Sequence, residues 1–266
     1  MNIKEIKVNY LLKQITKKDL LFRGDYTLDP YQNCAFGCIY CDSSIDDTIY
    51  VKINAADILN KELQSYTPGR IIIGSVHDPY QPVEQKYHLT HQILKKISKT
   101  EFSLHILTKS PTVLKDISLI KTLKNPIITF SILGFEESFW KNIELKAPSP
   151  MDRLNAMKKI AENGIKTGVA IIPTIPCIDE QNLEETIKMA KKFHASYVIQ
   201  KPLFLQGMQK EIFLKKINLL YPKYHKKLSK IYKKSNIPSF KQIKKQDNIV
   251  KKICYKHNIS SKIQLK

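Results

Sequence analysis

Between residues 25 and 200, short uncharged runs alternate with longer stretches of helical period. The runs fall at Tyr26–Leu28, Ile71–Gly74, Ser103–Leu107, Ile127–Leu133, Thr167–Ile172 and Tyr197–Gln200. Several are rich in β-branched residues and free of charge, as strands covered on both faces should be. Helical patterns fill the gaps. Ala55–Tyr66 follows Asn54, an N-cap residue, and Val83–Ser98 follows Pro82. Ser110-Pro111 and Ser149-Pro150 each put a capping serine before a proline at the first helical position. The helix opened by Ser149 runs to Asn163 and stops at Gly164, a residue suited to a left-handed cap. Asn182–His194 is the next helix.

Six strands alternating with helices predict parallel βαβ units joined by right-handed crossovers. Six units are too few to close an eight-stranded barrel. The expected fold is therefore α/β, a partial (β/α)6 TIM-type barrel. Chemistry in such sheets gathers at the carboxyl ends of the strands. The polar clusters Asn33–Asp42, Ser75–Gln81, Thr108–Ser110 and Ser131–Gly134 fall there.

Beyond Pro202 the pattern turns helical and basic, with helices expected at Lys210–Leu220, Pro222–Lys234 and Phe240–His257. The chain thus divides into an N-terminal extension (1–24), a barrel (25–200) and a basic helical C-terminal extension (201–266). No run approaches the roughly 18 apolar residues of a membrane-spanning helix. The opening MNIKEIKVNY carries charge where a secretion signal would be apolar. A cytoplasmic protein with no transmembrane segment is expected.

Charge separates the tail from the body. Lys and Arg number 44 and Asp and Glu 24, a net +20. Residues 201–266 hold 18 lysines against Glu211 and Asp247, a net +16, leaving +4 for the first 200 residues. Such a field favours polyanions, nucleic acid or an anionic membrane surface. A solvated lysine face in a Lys- and Ile-rich chain is the plainer reading.

Three of the five cysteines crowd into Cys34-Ala-Phe-Gly-Cys38-Ile-Tyr-Cys41. Gly37 lets such a loop turn tightly, so the thiols can converge on one centre. Thiolates suit zinc or an iron–sulfur cluster. A closed zinc site needs a fourth ligand, from Cys177 or a histidine. A cubane on three thiolates leaves one iron open to a small molecule.

The triplet, with Tyr40 before its last cysteine and directly behind the first barrel strand, resembles the radical SAM superfamily. Further segments resemble its spore photoproduct lyase-like (DNA repair photolyase-like) branch. They are Asp29-Pro30-Tyr31-Gln32-Asn33-Cys34, His77-Asp78-Pro79-Tyr80-Gln81-Pro82-Val83-Glu84, Leu107-Thr108-Lys109-Ser110, Ala147-Pro148-Ser149-Pro150-Met151-Asp152-Arg153 and Ile171-Ile172-Pro173-Thr174-Ile175-Pro176.

The resemblance implies that Cys34, Cys38 and Cys41 hold a [4Fe–4S] cluster whose fourth iron is chelated by S-adenosyl-L-methionine (SAM). It implies a reductant such as flavodoxin or ferredoxin, and a 5′-deoxyadenosyl radical that takes hydrogen from a substrate. Cofactor contacts are implied for Tyr40 near the adenine and for the backbone around Ser75. Lys109 and Arg153 would meet the carboxylate, and Ser131 the carboxylate or ribose. The family's Gly-Gly-Glu-like motif is replaced here by Gly74-Ser75-Val76-His77-Asp78.

Catalytic candidates are His77 and Asp78, expected at the barrel mouth, and Cys177, a hydrogen-atom donor or an inert thiol. Glu144 is either a substrate-binding acid or a salt-bridge partner. The spore lyase carries a hydrogen-donating cysteine just after its second strand. Ser75-Val76-His77 has none, so the substrate stays open. A non-catalytic [4Fe–4S] protein using its tail on nucleic acid is the alternative, and a zinc-stabilised module a third. Cys254 and His257, three apart on a basic helix, are expected to pack and to face solvent.

Overall fold

The computed structural model describes residues 2–176 and 180–265. The elements in chain order are β1 (Asn2–Ile6), β2 (Lys13–Gln14), β3 (Tyr26–Leu28), β4 (Tyr31–Gln32), β5 (Thr48–Lys52), α1 (Ala55–Ser65), β6 (Arg70–Ile73), α2 (Glu84–Tyr87) and α3 (Leu89–Ile97). Then come β7 (Ser103–Thr108), α4 (Ile117–Ile120), β8 (Lys124–Ser131), α5 (Glu137–Ile143), α6 (Pro150–Glu162), β9 (Lys166–Thr174), α7 (Glu180–Lys192) and β10 (Tyr197–Pro202). The tail adds α8 (Gly207–Leu220), α9 (Pro222–Tyr232) and α10 (Phe240–Lys256).

The main sheet has the order β10-β9-β8-β7-β6-β3-β2. Its six expected strands lie side by side in chain order and pair in parallel. This is the partial barrel read from the sequence. Burial explains the strands: β6 is covered at all four positions and β9 at most of its length. Ile71, Ile73, Ile106, Ile128 and Val169 from the sheet share one core with Leu59, Ile93, Leu154 and Ile187 from the covering helices.

Val250, Ile253 and Cys254 of α10 join that core, so Cys254 packs as expected, and His257 pairs with Glu184 at 2.8 Å. Helices α8 and α9 build a second core. Leu203, Leu205, Phe213, Leu228 and Tyr232 meet Ile39, Leu133, Phe139 and Ile143 there.

Three features differ from the sequence reading. A second sheet, β1-β5-β4, lies before the barrel's first helix. Its β1 is exposed at four of five positions, so no hydrophobic run marks it. The N-terminal residues thereby give one strand to each sheet, since β2 pairs antiparallel with β3.

The helix expected over Val83–Ser98 breaks at His88, whose φ is 52°. Buried Glu84 accepts the N–H groups of Thr90 (3.0 Å) and His91 (3.2 Å) there, and the Tyr31 hydroxyl also donates to it. A carboxylate at the start of α3 satisfies two orphan donors of its first turn. The segment after Ser110 is a 3₁₀ helix, Pro111–Asp116, before the single turn of α4, with the Ser110 hydroxyl accepting from Thr112 N.

A polar chain crosses the sheet. His105 is fully buried. Its Nδ1 donates to the Phe22 carbonyl at 2.9 Å, so Nε2 is the acceptor and takes the Thr129 hydroxyl at 2.6 Å. The Tyr197 hydroxyl completes the chain at 2.5 Å from Thr129. Burial, against the pull of the Phe22 carbonyl, lowers the imidazole from 6.5 to about 4. The unfolded chain binds this proton first, so the stabilisation from His105 is full above about pH 6.5 and fades toward pH 4. A His105→Gln variant should melt below wild type at pH 7, with the gap narrowing toward pH 4. A gap unchanged with pH would refute the burial of His105 as a neutral imidazole.

Candidate active site: the cysteine loop at the barrel mouth

The cysteine loop joins β4 to β5. Gly37 turns it at a φ of 65°, a conformation that costs residues with a side chain. Cys34 N donates to Ser43 O, and Cys41 N to Cys38 O, both at 3.0 Å. Three other parts of the chain grip the same loop. The connection after α5 does so through Ile39 N to Ile143 O and Lys146 N to Phe36 O, both at 2.9 Å, and through an antiparallel bridge between Cys38 and Glu144. Gln81, fully buried, accepts from Ala35 N at 2.9 Å and donates to Asn33 O at 3.0 Å, clasping the backbone on both sides of Cys34. Gln209 of α8 donates to Ile39 O from the opposite side. Sequence reasoning gave neither glutamine a role; Gln81 appeared only within the polar cluster Ser75–Gln81 and the family-like segment His77–Glu84.

All three thiols line one cavity of about 290 Å³ at the carboxyl ends of the strands. Tyr40, Ser75, Asp78, Lys109 and Ser131 line it too. Gly74 forms the tight exit of β6 at a φ of 87°, where a Cβ would sit 2.2 Å from Leu107 O. A larger cavity of about 630 Å³ opens at the amino ends of the strands around Arg70, Asn125 and His194. No cysteine lines it; the three thiols lie at the smaller one.

Glu144 lies behind the cavity wall and holds two of its residues, Tyr40 and Lys109. It is 1% exposed. Its Oε1 accepts the Tyr40 hydroxyl at 2.6 Å and lies 3.8 Å from Lys109 Nζ. Its Oε2 sits 2.6 Å from Arg153 Nη2, a close and fully buried ion pair. Burial pushes the carboxyl up, but Arg153, Lys109 and the Tyr40 hydroxyl outweigh it and hold it below its usual value. Burial likewise disfavours the Lys109 charge, yet Cys38 and Glu144 outweigh that and raise its pKa. Lys109, 17% exposed, lies 5.9 Å from the centre of the Tyr40 ring.

Several expected site residues sit elsewhere or are already engaged. Arg153 is fully buried and lies outside the cavity wall; beside Glu144 it donates to Ser131 O at 2.8 Å and Pro148 O at 2.9 Å. Its guanidinium is thus spent inside the protein and is not free to clamp a cofactor carboxylate. Asp78 accepts from Tyr80 N (2.9 Å), the Thr108 hydroxyl (2.8 Å) and Lys109 N (2.6 Å). It ties the exit of β6 to that of β7. Burial raises its pKa against those donors.

His77 does not face the thiols. It lines a separate cavity of about 440 Å³ with Asp29 and Lys52. Burial, then Lys52, lowers its pKa to about 4. Cys177 lies outside the described residues. Ser131 gives its hydroxyl to Ile172 O at 3.3 Å.

The donor set tests which group fits. Among the described residues no three His, Cys, Asp or Glu side chains gather closely enough for a single metal ion. Three thiols lining one cavity fit a cubane, which would take each thiolate on a different iron and leave the fourth iron open. Burial raises the Cys34 and Cys38 thiols to about 12, so binding the cluster must release their protons.

Comparison with known proteins decides the family. The family model described as "Radical SAM superfamily" matches residues 28–190. The chain belongs to the radical SAM superfamily. Enzymes of this superfamily use a [4Fe–4S] cluster and SAM and need a reductant. An uncharacterized protein of Methanocaldococcus jannaschii is 32% identical over 242 residues, covering 86% of this chain and 90% of that one. One from Mycobacterium tuberculosis is 23% identical over 82% of this chain and 71% of its own. Among solved structures, a spore photoproduct lyase complexed with dinucleoside spore photoproduct aligns at a TM-score of 0.69 with 16% identity, covering 96% of this chain and 79% of that one. A mutant of that lyase with bound AdoMet aligns at 0.67 with 15% identity, over 92% and 78%. These likenesses share the radical SAM fold.

The Glu144–Arg153 pair is testable on its own. Removing one partner of a buried ion pair strands the other charge, at about 3–5 kcal/mol. Arg153→Met should lose about that much in denaturant unfolding. A loss under about 1 kcal/mol, the range of a surface pair, would show that the pair does not hold the site.

Proposed function

We propose that this radical SAM protein is an enzyme that reductively cleaves SAM and uses the product to abstract hydrogen from its substrate. The carrying observation is that the three thiols and Lys109 share one cavity. When bound there, the cluster and SAM supply a 5′-deoxyadenosyl radical, fed by one electron from a donor such as flavodoxin or ferredoxin. The protein's part is to bind, orient and exclude water.

Lys109, kept charged by its acidic surroundings, pairs with the SAM carboxylate. Tyr40 walls the adenine side, its hydroxyl fixed by Glu144. Ser131 serves the carboxylate or ribose. Carbonyls at Ser75 receive the ammonium, in the absence of a Gly-Gly-Glu-like segment. Arg153 and Asp78 act as positioning residues, one through Glu144 and the other through the backbone of Lys109. We take residues 25–200 as the catalytic barrel of a cytoplasmic protein, with 1–24 and 201–266 as extensions.

The substrate reading favours nucleic acid. The tail carries +16, and Lys223, Lys226, Lys227, Lys230, Lys233 and Lys234 on and just after α9 are all exposed. Same-face neighbours in such a row repel one another unless screened or paired. The missing thiol at Ser75-Val76-His77 separates this chain from a true spore photoproduct lyase. A non-catalytic cluster protein would share the tail but not the SAM chemistry.

Anaerobically reconstituted protein should bind about four irons and release 5′-deoxyadenosine and methionine under a strong reductant. Any one of Cys34→Ala, Cys38→Ala or Cys41→Ala should abolish both, and Lys109→Ala should weaken SAM binding with the iron retained. Stoichiometric zinc without visible absorbance, or an iron-loaded protein inert to SAM, would overturn the reading.

Polyanion binding has its own signature. Affinity for duplex DNA should fall on a log–log salt plot by about 0.9 per neutralised phosphate. Changing the six lysines to Gln should flatten that slope. Unchanged affinity would move the substrate search to small molecules or proteins.

A further inference from the structure

We infer that Phe204 and Lys201, with Gln206, form a subsite for one unpaired nucleotide at the mouth of the cysteine cavity: Phe204 stacks on the base and Lys201 meets the phosphate. The inference rests on the nucleic-acid reading above and names the residues that would carry it.

The first residues of the tail do more than trail from the barrel. Lys201, Phe204 and Gln206 line the same cavity as Cys34, Cys38 and Cys41. Lys201 lies near the end of the sixth parallel strand, β10, and Phe204 and Gln206 follow it, so all three reach the cavity from a different part of the chain than the cysteine loop.

Phe204 is 49% exposed, although its neighbours Leu203 and Leu205 are buried at 1% and 0%. That exposure does not come from a loose segment. Leu203 N donates to Thr174 O at 3.1 Å, the Tyr232 hydroxyl to Leu203 O at 2.8 Å, and Leu205 N to Asn236 O at 2.9 Å. The backbone is pinned on both sides, so the ring is carried at the cavity mouth by an anchored segment. Leaving a Phe half in water forgoes part of its burial energy. An aromatic face on an anchored backbone at a cavity mouth suits a flat π-ligand, because the segment that carries it needs no ordering on binding.

Lys201 is exposed and makes no salt bridge among the described residues. Gln206 is exposed, and its side chain does not cap α8. A cation, an aromatic face and a free amide within six residues match the three parts of a nucleotide: phosphate, base face and base edge. The basic helices α8 and α9 continue from this point and would carry the strand onward.

The cavity itself is given to the cluster and SAM, so the base stacks at its rim, where the single ring of Phe204 offers a face to one base.

The test uses the full-length protein and two short fluorescent single strands of equal length, one ordinary and one with every base removed. Wild type should bind the ordinary strand more tightly. Phe204→Ala should lower that affinity by roughly tenfold and leave the abasic strand within about twofold, closing the difference between them. Phe204→Trp should preserve it. Lys201→Gln should weaken both strands alike and reduce the salt slope by about 0.7. Equal losses on both strands in Phe204→Ala, or none on either, would overturn the subsite while the nucleic-acid reading stands. No binding of either strand by wild type at low salt would sink both, and leave SAM cleavage untouched.

Discussion

One buried carboxylate holds the mouth of this barrel together. Glu144 receives the Tyr40 hydroxyl, faces Lys109 and pairs with Arg153. Through its backbone it also bridges to Cys38. The balance of charge is tight: two cations and a hydroxyl outweigh the cost of burying the acid. Each partner comes from a different place in the fold. Tyr40 lies in the cysteine loop, Lys109 follows β7, and Arg153 is in α6. One charge therefore fixes the cysteine loop against the strand ends, and sets Lys109 beside the thiols as a cation.

The clasp around the cysteines extends this constraint. Gln81 spans the backbone on either side of Cys34 with a single amide. Gln209 reaches in from the tail to the carbonyl between Cys38 and Tyr40. The cradle is thus complete only when α8 is docked, and that docking buries Phe213 and Ile217 in the second core. The basic extension is part of the site's architecture as well as its source of charge. A site built from rigid, mutually supporting contacts suits chemistry in which water and misalignment both waste the reactive species.

Much of this was legible in the chain itself, for local reasons. The six barrel strands show as uncharged runs because they are covered on both faces. The cysteines show because three thiols in eight residues have few other uses. What was hidden depends on distant partners. Strand β1 is exposed and exists only through its pairing with β5. The break at His88 exists because Glu84 turns back to cap α3. Arg153 reads as a free cation until Glu144 is seen against it, and His77 reads as a mouth residue until the turn after Gly74 sends it to another cavity. Nothing in a sequence marks Gln81 or Gln209 as clasps, since a glutamine amide acquires its meaning from the backbone it meets.

The most direct test of this account is a SAM titration of the reduced cluster, followed by electron paramagnetic resonance, in wild type and Glu144→Gln. The substitution keeps the shape of the side chain and removes its charge, loosening the hold on Tyr40 and Lys109. The account predicts that the cluster still assembles, while the SAM-induced change in the spectrum needs roughly tenfold more SAM or more, about 1.4 kcal/mol of lost binding. A variant that titrates like wild type would contradict the claim that this carboxylate organises the cofactor site.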